Sequence, residues 1–378
     1  MSSLREIASV FLRLGATAFG GPAAHMAMMQ EEVVRRRQWL TDEQFLDYVG
    51  AVNLIPGPNS TELAIHVGHV RAGWPGLLVA GASFIVPAAL LTGIAAWAYV
   101  RYGALPEVAA VMYGLEPVVI AIVAQALWIL GRIALKGVTL AVVAGVAAAA
   151  FLGGLHELVV LAAAGAAGGL LRVGASGVRA LCVSSLGALS GGATAVSAAL
   201  VAGAPASFGL WALFLLFAKV GAVLFGSGYV LLAFLRADFV DRLGWLTEQQ
   251  LLDAIAVGQM TPGPLFTTAT FIGYVLGGTP GAIVATAGIF APAFLFVAIS
   301  GPLIPRLRRS RVAGGVLDGV NAASLALMAV VLWQLARAAV VDPLTAAIFG
   351  VSLVLLVWWR VSSIWLMLAG GAAGWLIG

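Results

Sequence analysis

Apolar residues in this chain come in long runs, and polar residues gather in the short stretches between them. Gly76–Val100, Val138–Leu155 and Thr345–Trp359 approach the roughly 20 residues a helix needs to cross a bilayer. The pattern predicts six apolar elements near residues 7–29, 44–70, 75–101, 107–131, 133–153 and 155–172. Six more follow near 209–235, 250–276, 279–303, 312–336, 339–358 and 360–377, with an extra segment near 180–203.

The two sets are copies of one unit. Phe19-Gly20, Trp39-Leu40-Thr41, Asp47 and Pro56-Gly57-Pro58 recur as Phe225-Gly226, Trp245-Leu246-Thr247, Asp253 and Pro262-Gly263-Pro264, all 206 residues later. After a one-residue deletion, Gly68, Pro75-Gly76 and Pro87 match Gly273, Pro280-Gly281 and Pro292 at an offset of 205. A repeat of this kind outweighs any local reading. The expected organisation is a first unit over 1–175, a linker over 176–208 with one membrane helix, and a second unit over 209–378.

Composition narrows the class. Hydrophobic residues make up 62% of the chain and charged ones 10%, where a soluble domain carries about 25%. The expected fold is therefore an all-α polytopic integral membrane protein. The net charge of +4 comes mostly from loop arginines, and Lys136 and Lys219 are the only lysines. No basic stripe offers a nucleic-acid surface. A single cysteine, Cys182, excludes an internal disulfide and a cysteine-based metal site. Arg13 inside the first apolar run does not fit a cleaved signal peptide, so that segment is expected to be retained.

Loop charges predict topology, because arginines stay on the cytoplasmic side. The loop after the third element carries only Arg101 in the first copy, against Arg306, Arg308, Arg309 and Arg311 in the second. Arg132 with Lys136, Arg172 with Arg179, and Arg360 fall inside; His156-Glu157 and Arg337 with Asp342 fall outside. Equivalent loops thus face opposite sides, as in an inverted repeat with the N-terminus inside and the C-terminus outside. Arg35-Arg36-Arg37 conflicts with this unless the first elements are re-entrant or Glu31 and Glu32 hold the triplet.

Candidate chemistry lies at the breaks. Pro56-Gly57-Pro58 and Pro262-Gly263-Pro264 interrupt apolar helices. Matched broken helices in two repeats point to a transporter's binding site, and the alternative is a packing kink. Gly20-Gly21 and Gly226-Ser227-Gly228 form a second matched pair, where backbone amides can approach an anion. Arg13 and Lys219 correspond and could face one central dianion, or reach out to an interface. Asn53 and Gln259 precede each first proline by three residues and can donate hydrogen bonds. After the breaks the copies diverge: Ser60 and Glu62 in the first, Thr267 and Thr268 in the second. Glu62 could carry a proton or pair with Arg13. His25 lies just beyond the glycine break, and His66 with His69 lacks further metal ligands. Glu32, Arg36 and Trp39 match Asp238, Arg242 and Trp245, an i,i+4 pair that fixes the connector. No metal or cofactor is expected.

At these residues the chain resembles the chromate ion transporter family in its long, two-unit form. The resemblance rests on Phe19–Pro22, Arg35–Leu40, Pro56–Pro58 and Arg71-Ala72-Gly73, with Phe225–Gly228, Trp245-Leu246, Pro262–Pro264 and Gly277-Gly278 in the second copy. It implies a multi-pass protein of the cytoplasmic (inner) membrane. It also implies export of chromate, with sulfate as a related anion, driven by membrane potential or an ion gradient. The residues alone reach an anion transporter with a pseudosymmetric midplane site. A passive anion channel and an intramembrane lipid-phosphate hydrolase using Ser60, Glu62 and His66 are the competing readings. A coupling proton and a homodimer stay open.

Overall fold

The computed structural model describes residues 2–185, 208–225, 228–300 and 310–377. Most of the expected segment near 180–203, together with Gly226, Ser227, Arg306, Arg308 and Arg309, lies outside the described residues. All regular structure among the described residues is helical.

The first copy begins with α1 (Ser2–Thr17), α2 (Gly21–Gln30) and a π-helical turn (Glu31–Arg36). Nineteen residues separate Arg13 from Glu32, about 28 Å along one continuous helix, yet their side chains form an ion pair. Arg37 Nη1 also reaches Glu6 Oε1 at 2.6 Å. The chain therefore doubles back at the glycine break, and α1 with α2 forms a re-entrant hairpin. In a π turn, residues five apart stack, which places Arg37 Nε 2.7 Å from Glu32 Oε1 and Arg36 Nε 3.3 Å from Glu31 Oε1.

A second hairpin follows. A capping box between Thr41 and Gln44 starts α3 (Asp42–Val52), and the Pro-Gly-Pro break leads into α4 (Asn59–Tyr102). Helix α4 has two limbs, because Ala72 and Gly73 are non-helical. Gly68 packs against Gly76 and Ala80. In a straight helix the eight residues from 68 to 76 would span about 12 Å, so the limbs fold back on each other. Arg71, at the end of the short limb, lies 3.8 Å from Glu6 and stacks over Trp39 at 5.5 Å. Both hairpins thus return to the face they entered. This removes the conflict over Arg35-Arg36-Arg37, since the triplet shares the N-terminal face and is held by glutamates. Only the long limb, 74–102, is long enough to cross.

The second copy repeats this in α8 (Leu210–Val223), a 3-10 turn (Gly228–Val230), α9 (Leu231–Leu235), a π segment (Arg236–Arg242), α10 (Glu248–Met260), a 3-10 turn (Leu265–Thr267) and α11 (Thr268–Ser300). Thr247 and Gln250 form the matching capping box. Gly277 and Gly278 make the matching bend, with Gly273 packed on Gly281 and Ala285. The long limbs of α4 and α11 run antiparallel. Gly81 touches Phe294, while Trp97 shares a groove with Thr279, at the far end of α11's long limb. An axis relating the copies is therefore perpendicular to these limbs, which is the geometry of inverted repeats.

The remaining helices are exchanged between copies. Helix α5 (Pro106–Ala134) packs on α13 (Pro343–Val357) and α14 (Ser363–Ile377) of the second copy. Helix α12 (Arg311–Ala339) packs on α6 (Val138–Leu152) and α7 (Glu157–Ser185) of the first. Small residues allow the close approach: Gly114 meets Gly370 and Gly374, and Gly319 meets Ala164 and Gly168.

Candidate functional site

The two breaks lock onto each other reciprocally. Proline has no N–H, so the glycine amide is the free donor within each Pro-Gly-Pro. Gly57 N–H donates to the Leu224 carbonyl at 2.7 Å, and Gly263 N–H donates to the Ala18 carbonyl at 2.7 Å. Each break thus binds the end of the first helix of the other copy. Gly57 and Gly263 have φ of 137° and 92°, conformations that side chains disfavour.

A cavity of about 230 Å³ opens where the first copy's glycine break meets the second copy's Pro-Gly-Pro. Gly20 and Gly21, Tyr229, Gln259 and Thr261 line it, with Gln125 from α5 and Ser362-Ser363 at the start of α14. No charged side chain among the described residues lines it. Two helix N-termini reach it, α2 at Gly21 and α14 at Ser363. Their first amides have no intrahelical partners, and their dipoles favour negative charge. The buried amide of Gln259 faces the Tyr229 hydroxyl, so the two form a neutral polar pair on the cavity wall. The arrangement can bind a small anion through neutral donors.

Arg13 and Lys219 are placed elsewhere. Arg13 pairs with Glu32. Lys219 Nζ lies 2.5 Å from Asp238 and 3.4 Å from Glu157, and Arg242 adds a 2.8 Å contact to Asp238. Each cation pins a re-entrant hairpin, and neither lines the cavity. Burial alone would raise the Glu32 carboxyl, but hydrogen bonds from Arg37 and Arg13, with their charges, hold it below the usual range.

The segments around the break carry buried ionisable side chains in the first copy (His25, Glu62, His66), where the second has threonines. Glu62 is fully buried against Gly57, and neither carboxyl oxygen has a partner among the described residues. It does not pair with Arg13. Ser60 Oγ lies 3.3 Å from His25 Nδ1, and His66 packs on Tyr48 with ring centroids 5.3 Å apart. Asn59 donates to Asn53 at 2.7 Å, bridging the break from Pro56 to Pro58. In the second copy, Thr267 and Thr268 cap their own backbone at Pro264 and Leu265. Gly228, ahead of Tyr229, packs against Leu265 and Phe266. Among the described residues no group of three metal-binding side chains occurs.

The family model for chromate transporters matches residues 5–169 and again 211–375. The chain belongs to the chromate transporter family. It is 32% identical to a chromate transport protein of Cupriavidus metallidurans, over 98% of this chain and 92% of that protein. It is also 32% identical to a chromate transport protein of Pseudomonas aeruginosa, over 99% of this chain and 92% of that one. A probable chromate transport protein of Synechococcus elongatus is 30% identical over 90% of this chain and 86% of its own length. No solved structure shows a significant match. Family membership and apolar helices long enough to cross a bilayer make this a multi-pass membrane protein.

For a chromate transporter family member, the residues that sequence reasoning missed are telling. Gln125, Ser362, Ser363 and Tyr229 line the cavity. A lone glutamine in an apolar run and a serine pair opening the last run were the available signals.

Proposed function

We propose that this chain is a secondary transporter that exports chromate, or a related oxyanion such as sulfate, across the cytoplasmic membrane. The anion sits in the cavity at the repeat interface, close to the middle of α5. The observation that carries this reading is the cavity itself, lined by two helix N-termini, the Gln259 amide and the Tyr229 hydroxyl, with no fixed charge among the described residues. At about 30 Å³ per liquid water, the roughly 230 Å³ cavity holds a tetrahedral oxyanion with part of its water shell. Neutral donors replace that shell without trapping a dianion against a fixed cation. Alternating access rocks one repeat against the other, with the Gly57–Leu224 and Gly263–Ala18 contacts as the bistable joint. Glu62, buried and unpartnered among the described residues, is the coupling proton's carrier. No catalytic step is assigned.

The test is uptake of chromate, sulfate, molybdate and phosphate by purified protein in liposomes, with pH varied. Saturable, pH-dependent chromate uptake is expected, and Gln259→Leu should raise the KM about 5- to 20-fold by removing one donor. Non-saturating flux would favour a channel. An unchanged KM in Gln259→Leu would place the anion elsewhere.

A further inference from the structure

A second buried acidic feature lies outside the cavity. Glu116 on α5 and Asp253 on α10 come from different copies and are 6% and 4% exposed. They are within hydrogen-bonding reach of each other. Tyr99 on the long limb of α4 donates to Asp253 Oδ2 at 2.6 Å, and Gln249 donates to Glu116. Asp253 is more than nine-tenths buried; besides Tyr99 its carboxyl has the Gln249 amide and Glu116 within reach, and its Oδ1 completes no hydrogen bond of good geometry among the described residues. No basic group among the described residues pairs with either carboxyl.

The surrounding helices supply no compensating charge. Helix α12 has no charged side chain between Asp318 and Arg337, and α13 and α14 have none. The only titratable side chain of α11 is Tyr274. On α5, Tyr113 is committed to Asp342. On α10, Glu248 bonds Arg236 at 3.2 Å. Two carboxylates this close in an apolar setting cannot both be ionised. A single proton between Glu116 and Asp253 Oδ1 gives that oxygen a hydrogen bond and removes the repulsion.

We propose that Glu116 and Asp253 form a proton-sharing pair that acts as a proton-binding station separate from the anion cavity. Its role in coupling rests on the transporter reading above. Glu116 lies ten residues into α5, about 15 Å from that helix's first residue. The pair is specific to one side of the repeat: the counterpart of Glu116 is Asn321, and that of Asp253 is the exposed Asp47. Glu62 is likewise unmatched, since Thr268 stands in its place. Both unmatched acids, Glu62 and Glu116, belong to the first copy, so the unmatched acid of both proton stations resides in one repeat.

Dicyclohexylcarbodiimide, which attacks protonated carboxyls in apolar surroundings, tests this on purified protein in liposomes without any anion. Peptide mass mapping should find Glu116 or Asp253 modified at neutral pH, with modification declining about tenfold per pH unit once the pair ionises. Glu116→Gln keeps the shape and leaves Asp253 charged with a permanent donor. It should abolish labelling at Asp253, leave labelling of Glu62 intact, and flatten the pH profile of chromate uptake. Absence of label on both residues, or a Glu116→Gln profile that still follows pH as the wild type does, overturns the proposal. Protection by Na⁺ at constant pH overturns the proton in favour of a metal cation. If wild-type protein moves no chromate, the transport reading falls while the labelling result still decides the pair.

Discussion

Replacing Gly263 by alanine probes the joint between the repeats more sharply than any charge change. With φ at 92°, a residue bearing a β-carbon is strained by about 1–2 kcal/mol. The added carbon would also lie 2.6 Å from Ala88 Cβ and 2.9 Å from the Gly15 carbonyl oxygen. Neither neighbour is a flexible tip, so overpacking adds about 1–3 kcal/mol. The total, about 2–5 kcal/mol, acts on the segment whose N–H binds Ala18. Two controls separate the terms. Gly73 has φ of 61° with open space where a β-carbon would sit, so Gly73→Ala meets strain alone. Gly57→Ala adds only a clash with the end of the Glu62 side chain, which can swing away. Thermal melts in detergent and chromate uptake in liposomes should both rank Gly263→Ala worst, then Gly57→Ala, then Gly73→Ala. If Gly73→Ala is as damaging as Gly263→Ala, close packing at the joint is not what matters. Wild-type transport by Gly263→Ala would refute the joint altogether.

Other consequences are more direct. Lys219→Ala leaves Asp238, 1% exposed, with Arg242 alone, and should destabilise by about 3 kcal/mol in thermal melts. Arg13→Ala should lose about 1 kcal/mol or less, because Arg37 still holds Glu32. Neither should change the KM for chromate, and a raised KM for Arg13→Ala would return that residue to the site. The Glu32 carboxyl is held below its ordinary value of 4.5. Its pairing therefore stabilises fully above that pH and is lost as pH falls through the lower, folded value. Acid melts should show this loss in the wild type and not in Glu32→Gln. In a Cys182→Ser background, Gln38→Cys and Asp241→Cys, both exposed, should react with impermeant thiol reagents from opposite membrane faces. Reaction of both from one face contradicts the inverted arrangement.

The duplication, the breaks and the helix starts were legible because each depends on local chemistry. Pro-Gly-Pro breaks a helix wherever it occurs, and Thr41 with Gln44 needs only a three-residue spacing. Re-entrance was not legible. An apolar run over 7–29 reads the same whether it crosses or doubles back, and the deciding fact is a tertiary ion pair between Arg13 and Glu32. That pair also explains why the matched cations pointed toward a shared anion: their acidic partners recur too, at Glu32 and Asp238, but nineteen residues away, where only a hairpin brings them together. The cavity escaped for a related reason. Gln125 and Ser362-Ser363 arrive through the exchange of α5 and α14 between copies, which no local pattern encodes.

A symmetric frame by itself gives no direction to transport. Inward-open and outward-open states of an inverted repeat are mirror exchanges of the same two conformations, so identical copies would hold them at equal free energy. A ligand shifts such an equilibrium only by its differential affinity for the two states, and each tenfold shift requires about 1.4 kcal/mol. The clamps, bends and capping boxes are the same in both copies and cannot provide that difference. Glu62 against Thr268, and Glu116 against Asn321, can, because protonation changes one repeat and not the other. Replacing both acids by their counterparts, Glu62→Thr with Glu116→Asn, should therefore abolish chromate uptake driven by a pH gradient. Chromate-for-chromate exchange, which needs only the cavity and the joint, should persist and shows that the variant is folded. Gradient-driven uptake that survives in this variant would mean that coupling resides in neither acid.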